Sequence, residues 1–279
     1  MLKRVITGVV AILILLPVLI FSDTVLFPIA ISVISLVSLY ELFQCTKMGK
    51  RFAVILPIYA FAAIAPFLMR YLADSEEFAL IAFIVAAVYI LYLFALVVWS
   101  HGKLPFGDAA AVFAMALYVI AAMSAITYIR AFPWGGEYIY LLIFLGAWIT
   151  DTFAYFTGFL LGKHKLIPDV SPKKTVEGSI GGIVFCALSF VVFGLIVDHF
   201  FGQDANLWFL LISGVIISLI SQIGDLIMSV IKRHYGIKDF GKIFPGHGGM
   251  LDRFDSILAV ALGLCAICMF ANLSGISLI

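Results

Sequence analysis

The sequence predicts an all-α, polytopic integral membrane protein with about nine transmembrane helices, a cytoplasmic N-terminus and an outside C-terminus. Three observations support this fold class. Of the 279 residues, 64% are hydrophobic and only 12% are charged, whereas a typical soluble domain has about 25% charged residues. Long apolar runs recur along the whole chain, and the basic residues collect on one side of them. A soluble enzyme, a disulfide-stabilised secreted domain and a disordered chain are therefore excluded.

Each predicted span is a continuous apolar run long enough to cross a hydrocarbon core of about 30 Å. Such runs favour helices over the short alternating strands of a membrane β-barrel. The first is expected to be an uncleaved helix, because no small-x-small cleavage site follows it. The predicted spans are Val5–Phe21, Thr24–Phe43, Phe52–Leu72, Phe78–Trp99, Ala109–Ile129, Tyr138–Leu161, Ser179–Phe201, Leu207–Ile231 and Ser256–Ile276.

The distribution of basic residues sets the orientation through the positive-inside rule. With the N-terminus in the cytoplasm, 15 of the 17 basic residues lie inside and only Arg70 and Arg130 lie outside. One missed span would scramble this bias, so it supports the number of spans as well. We divide the chain into a scaffold of about five spans, residues 1–137, and a C-terminal part of about four spans, residues 138–279. The C-terminal part includes two long cytoplasmic loops, which are expected to carry the chemistry of the protein.

Two carboxylates stand out within the predicted spans, where an ionised group is costly and normally faces the bundle interior or a wet cavity. Asp151 lies near the middle of the sixth span, and Asp225 lies about 10 Å from the cytoplasmic end of the eighth. A structural hydrogen bond and a functional role are equally supported for Asp151. Asp252 and Asp255 share one helix face at the start of the last span, and with Asp225 they suggest oxygen ligands for Mg²⁺ or another divalent cation.

Two cytoplasmic loops are unusually polar. The first polar loop, residues 162–178, contains Lys173 and Lys174 just before a helix start. Lysines at the N-terminus of a helix are typical of a polyphosphate-binding site. The alternative is that the positive charge only anchors the chain to anionic lipid. The second polar loop, residues 232–253, combines cations, acids and glycines that let the backbone approach an anion. His247 lacks the His or Cys partners of a zinc site, so hydrogen bonding is its expected role.

The end of the eighth span and the second polar loop together carry a specific motif. Residues 229–255 read S-x-x-K-R-x(4)-K-D-x-G-x(3)-P-x-H-G-G-x(2)-D-R-x-D. This pattern resembles the signature of the phosphatidate cytidylyltransferase family, also called CDP-diacylglycerol synthases. The first half of the chain is similar to that family only in its architecture. The matching positions are Ser229, Lys232, Arg233, Lys238, Asp239, Gly241, Pro245, His247, Gly248, Gly249, Asp252, Arg253 and Asp255.

The resemblance implies a nucleotidyltransferase of phospholipid biosynthesis, which transfers the cytidylyl group of CTP to phosphatidic acid and releases pyrophosphate. The lipid phosphate is itself the nucleophile, so the protein has to align two anions and neutralise charge. The expected catalytic residues are Asp225, Asp252, Lys232, Arg233, Lys238, Asp239, His247, Arg253 and Asp255. The expected substrate-binding residues are Lys173, Lys174, Ser171, Thr175, Ser229, Gly248 and Gly249. The expected ligands of Mg²⁺ or another divalent cation, one ion or more, are Asp225, Asp252, Asp255 and Asp151.

Two alternatives remain open at this point. One is a CTP-dependent transferase that acts on another lipid, and the other is an ion-coupled transporter that uses Asp151 and Asp225 as relay acids. The expected partners are CTP, phosphatidic acid and the lipid bilayer, with no nucleic acid, and a homodimer through the apolar spans is a further expectation. The expected location is the inner (cytoplasmic) membrane, with several spans and an active site that faces the cytoplasm.

Overall fold

The computed structural model describes residues 13–73, 78–246 and 248–279, and these residues are mostly helical. Residues 13–20 are helical. The elements that follow are α1 (Leu26–Cys45), α2 (Phe52–Tyr71), α3 (Phe78–Trp99), α4 (Phe106–Ala131), α5 (Gly136–Ile139), α6 (Leu141–Leu161), β1 (Lys165–Ile167), β2 (Ser171–Thr175), α7 (Val176–Phe201), α8 (Leu207–His234) and α9 (Leu251–Ser274).

Eight helical segments among the described residues are long and apolar enough to cross a membrane. They correspond to the second to ninth predicted spans, with α5 and α6 together forming the sixth, Gly136–Leu161. The prediction of a polytopic helical membrane protein is therefore confirmed. The predicted first span, Val5–Phe21, begins outside the described residues, and the sides on which the termini lie stay predictions.

The described residues group into two compact units. The first contains the described residues up to Tyr128 together with Phe240–Leu251, and the second contains Ile129–Asp239 together with Asp252–Ile279. In the first unit, α1 packs against α2, and the hydroxyl of Ser32 donates a hydrogen bond to the carbonyl of Ala63 at 2.9 Å. The expected division at residue 137 into a scaffold and a catalytic part stays a prediction.

Close helix contacts organise the second unit. Helix α7 packs along α6 and α8, and α6 also contacts α8. Glycine permits these approaches because it has no side chain. A Cβ at Gly178 would lie 2.6 Å from the backbone oxygen of Ala154, and one at Gly214 would lie 2.7 Å from the Cα of Ala187. These two glycines thus let α7 lie close to α6 and to α8.

The first polar loop contains a small hairpin that the sequence did not predict. Strands β1 and β2 pair antiparallel, with Lys165 opposite Thr175. Helix α7 follows β2 directly, at Val176 and not at the predicted Ser179. The earlier start arises because the hydroxyl of Thr175 accepts the N–H of Gly178 at 3.1 Å and caps the helix. Strand β2, which contains Lys173 and Lys174, therefore leads directly into a candidate membrane helix.

Candidate active site

One half of the candidate site joins the hairpin to helix α8. The Nζ atom of Lys174 lies 2.6 Å from Oδ2 of Asp225 and donates to the backbone oxygen of Gln222 at 3.4 Å. Both charged side chains are partly exposed, at 23% and 28%. Lys173 precedes Lys174 in the strand and is exposed. The strand therefore sets one lysine on the carboxylate and leaves the next one open to solvent.

The hairpin is held in place at its base by Glu177 in the first turn of α7. Its carboxylate accepts the backbone N–H of Lys163 at 3.1 Å and that of His164 at 3.3 Å. Nδ1 of His164 lies 2.6 Å from the same carboxylate. These contacts tie the entry of the first polar loop to its exit. The position of Lys174 thus depends on the contacts that Glu177 makes with Lys163 and His164.

The other half of the site joins the ends of α8 and α9. Nζ of Lys232 donates to Oδ1 of Asp252 at 3.0 Å and lies 3.9 Å from Oδ2 of Asp255. The side chains of Lys232 and Asp252 are only 11% and 4% exposed. A buried pair of this kind holds its partners together, because removing either one leaves an uncompensated charge. The predicted convergence of Asp252 and Asp255 is found here, around one lysine.

The bounds predicted for the second polar loop were wrong by about a helical turn at its start. Helix α8 continues to His234 and includes Lys232 and Arg233 in its last turn. Basic residues are favourable there, because the C-terminus of a helix carries partial negative charge. Helix α9 begins at Leu251, so Asp252 belongs to its first turn. The pair Lys232–Asp252 therefore connects two helix ends and is not a contact within a loop.

Asp151 reaches the same group of acids, which spacing alone did not decide. Its Oδ2 accepts a hydrogen bond from the hydroxyl of Ser256 at 2.9 Å. Its carboxylate also interacts electrostatically with Asp225 and Lys174. Asp255 interacts in turn with both Asp225 and Asp151. Helices α6, α8 and α9 thus contribute one carboxylate each to a set whose like charges repel.

Carboxylate oxygens are the donors that a hard divalent cation prefers. Within the described ranges, however, no three His, Cys, Asp or Glu side chains are grouped so that they could hold a metal ion. Asp225 and Asp252 each pair with a lysine. The donor types therefore fit such a cation, while Oδ2 of Asp225 and Oδ1 of Asp252 each face a lysine.

The remaining predicted site residues make few contacts with the groups described above. Arg233, Lys238, Asp239 and Arg253 are exposed, and no ion pair recorded among the described residues includes Asp239 or Arg253. Ser171 and Ser229 are half-buried, while Thr175 is buried and uses its hydroxyl as the cap of α7. Gly248 and Gly249 belong to the first unit. His247 lies outside the described residues.

One carboxylate within a predicted span, Glu41, contacts the signature segment but is absent from the predicted site residues. Glu41 lies in α1, is 3% exposed, and accepts hydrogen bonds from the backbone N–H groups of Met250 and Leu251. A signal was available, because an acid inside the span Thr24–Phe43 needs a partner as much as Asp151 does. The end of the signature segment thus meets an acid from the first half of the chain.

Comparisons with known proteins agree with the signature. The chain matches the model of the Cytidylyltransferase family over residues 2–271. It is 38% identical to a phosphatidate cytidylyltransferase of Staphylococcus haemolyticus (strain JCSC1435), over 92% of this chain and 95% of the relative. The proteins of that name from Staphylococcus epidermidis (strain ATCC 35984) and Staphylococcus aureus (strain COL) are 36% and 37% identical with the same coverage. The predicted resemblance is confirmed, and the chain belongs to the cytidylyltransferase family.

Proposed function

We propose that this membrane protein transfers the cytidylyl group of CTP to phosphatidic acid and forms CDP-diacylglycerol and pyrophosphate. The name shared by the relatives, which match along nearly the whole chain, supports the reaction. The observation that carries the proposal to particular residues is the pair of contacts Lys174–Asp225 and Lys232–Asp252 within one compact unit. An ion-coupled transporter has no need of the nucleotide signature, and we do not retain that alternative.

The chemistry requires two anions to meet. An oxygen of the phosphatidate phosphate attacks the α-phosphorus of CTP, and the bond from that phosphorus to the bridging oxygen breaks to release pyrophosphate. No protein nucleophile is needed, so the protein contributes alignment and neutralisation of charge. Lys174 and Lys232 suit this task, since each ammonium group can leave its carboxylate for phosphate oxygens.

The carboxylates that the lysines leave would hold the divalent cation. We assign Asp225 and Asp252 as its ligands, with Asp255 and Asp151 as further oxygen donors. A bound Mg²⁺ ion supplies a charge that offsets the phosphate oxygens and the pyrophosphate. The repulsion among Asp151, Asp225 and Asp255 supports this assignment, because a cation relieves it.

We place the reaction at the cytoplasmic face of the plasma (inner) membrane. The predicted orientation puts 15 of the 17 basic residues on that side. CTP arrives there from solution, while phosphatidate keeps its acyl chains in lipid and presents its phosphate at the interface. A site at this depth lets both substrates meet without moving charge across the bilayer.

The test is a reconstitution of the purified protein in lipid with CTP, Mg²⁺ and phosphatidate. Formation of CDP-diacylglycerol and release of equal amounts of pyrophosphate is the expected result. Reactions without phosphatidate, or with ATP in place of CTP, are the controls for hydrolysis and for base preference. Competition by other phosphorylated lipids separates phosphatidate from an alternative lipid acceptor. If no product forms with any of several divalent metals, the proposal is wrong.

A further inference from the structure

Glu41 caps helix α9 from another helix. Its Oε1 accepts the N–H of Met250 at 3.0 Å, and its Oε2 accepts the N–H of Leu251 at 2.8 Å. The first N–H groups of a helix have no acceptor within the helix, so they need one from elsewhere. A carboxylate is well suited, because it offers two oxygens and its charge is favourable at a helix N-terminus. The start of α9 is therefore held by both oxygens of one side chain.

Two glycines of the signature pack against the same carboxylate. A Cβ at Gly241 or at Gly249 would collide with the carboxylate oxygens of Glu41. Neither glycine has a positive φ, so backbone conformation does not require glycine at these positions. Space for the Glu41 carboxylate is the physical reason for both. Glu41 thus contacts the described part of 240–251 at its beginning and at its end.

We propose that Glu41 is a positioning residue for cytidylyl transfer. Asp252 follows Leu251 directly in the chain and pairs with Lys232, so the place where α9 begins decides where this carboxylate stands. The two hydrogen bonds from Glu41 fix that beginning, and the glycine contacts fix the path of the segment that leads to it. The role rests on the proposed function, because it is defined for that reaction.

The conservative variant Glu41→Gln separates positioning from simple space filling. Glutamine has nearly the same size, but it offers one carbonyl oxygen and one NH₂ group to two N–H donors. One donor therefore loses its acceptor while the packing is kept. A displacement of about 1 Å far from the chemistry can lower a rate by about 100-fold. We expect kcat to fall at least 10-fold, with the KM values for CTP and phosphatidate within about threefold of wild type.

Matched variants identify the contact that matters. Glu137→Gln makes the same chemical change at an exposed glutamate, and Gly107→Ala adds a methyl group where no atom lies within 4 Å. Both should keep wild-type kcat. Gly241→Ala should resemble Glu41→Gln, because its methyl group displaces the carboxylate. In a Glu41→Ala background the same methyl group meets no carboxylate, so the double variant should be no slower than Glu41→Ala alone.

Amide hydrogen exchange at Met250 and Leu251 gives a readout besides activity. Exchange should be faster in Glu41→Gln than in wild type at the amide that loses its acceptor, while the melting temperature falls by only a few degrees because one hydrogen bond is lost. Wild-type kcat in Glu41→Gln, unchanged exchange, or multiplicative losses in the double variant would each overturn the role of Glu41. If the wild type forms no CDP-diacylglycerol, the proposed function fails, and the exchange data still decide whether Glu41 holds this segment.

Discussion

Replacing Asp252 by Asn should cost about 3 kcal/mol of the free energy of unfolding, at the low end of the 3–5 kcal/mol typical for breaking a buried ion pair. The pair is buried, with Lys232 11% and Asp252 4% exposed. Asparagine keeps the shape but not the charge, so the ammonium group of Lys232 stays buried without its main partner. Asp255, at 3.9 Å from that group, compensates in part. The loss is therefore placed at the low end of the range.

The measurement is reversible unfolding in mixed micelles for wild type, Asp252→Asn and the double variant Lys232→Met/Asp252→Asn. The double variant should recover part of the lost stability, because methionine removes the buried charge. Asp252→Asn should still insert and fold, since domains are commonly stable by about 5–15 kcal/mol, while its turnover is lost. A change below about 0.5 kcal/mol, the size of an ordinary surface substitution, would refute the reasoning. No recovery in the double variant would also refute it.

Three further outcomes are expected. Asp225→Asn should lower the free energy of unfolding by less than about 1 kcal/mol, because the pair of Asp225 with Lys174 is partly exposed. The same variant should have no turnover, and retained turnover would contradict the assignment of Asp225 as a metal ligand. Thr175→Ala should cost about 1 kcal/mol in unfolding experiments through loss of the α7 cap and raise the KM for CTP, with Thr175→Ser as the control. Chelation of divalent cations should stop product formation, and added Mg²⁺ should restore it, as followed by pyrophosphate release.

The membrane spans were predictable because their signal is physical and local. A run of apolar residues as long as the bilayer is thick can be read without knowing any neighbour. The ends were less secure, since Lys232 and Arg233 belong to a polar loop by composition but extend α8 in the structure. Positive charge at the C-terminus of a helix is favourable. In the sequence it cannot be distinguished from positive charge in a loop.

The hairpin and the pairing of charges were not predictable in the same way. Strand β1 has only three residues, Lys165–Ile167, which is too short for an alternating pattern. The signature gathered Lys232, Asp252 and Asp255 on one stretch of chain, but their pairing depends on how two helix ends meet. Glu41 lies 209 residues from Met250, and no periodicity relates positions so far apart.

That separation has a consequence for how the protein is made. At synthesis rates of about 5–20 residues per second, the N–H donors of Met250 and Leu251 are made roughly 10–40 s after Glu41. Helix α1, which ends at Cys45, is therefore synthesised well before the Glu41 carboxylate can meet these donors. The start of α9 is set only when almost the entire chain has been translated. A nascent chain that stalls earlier is a membrane protein without a working site.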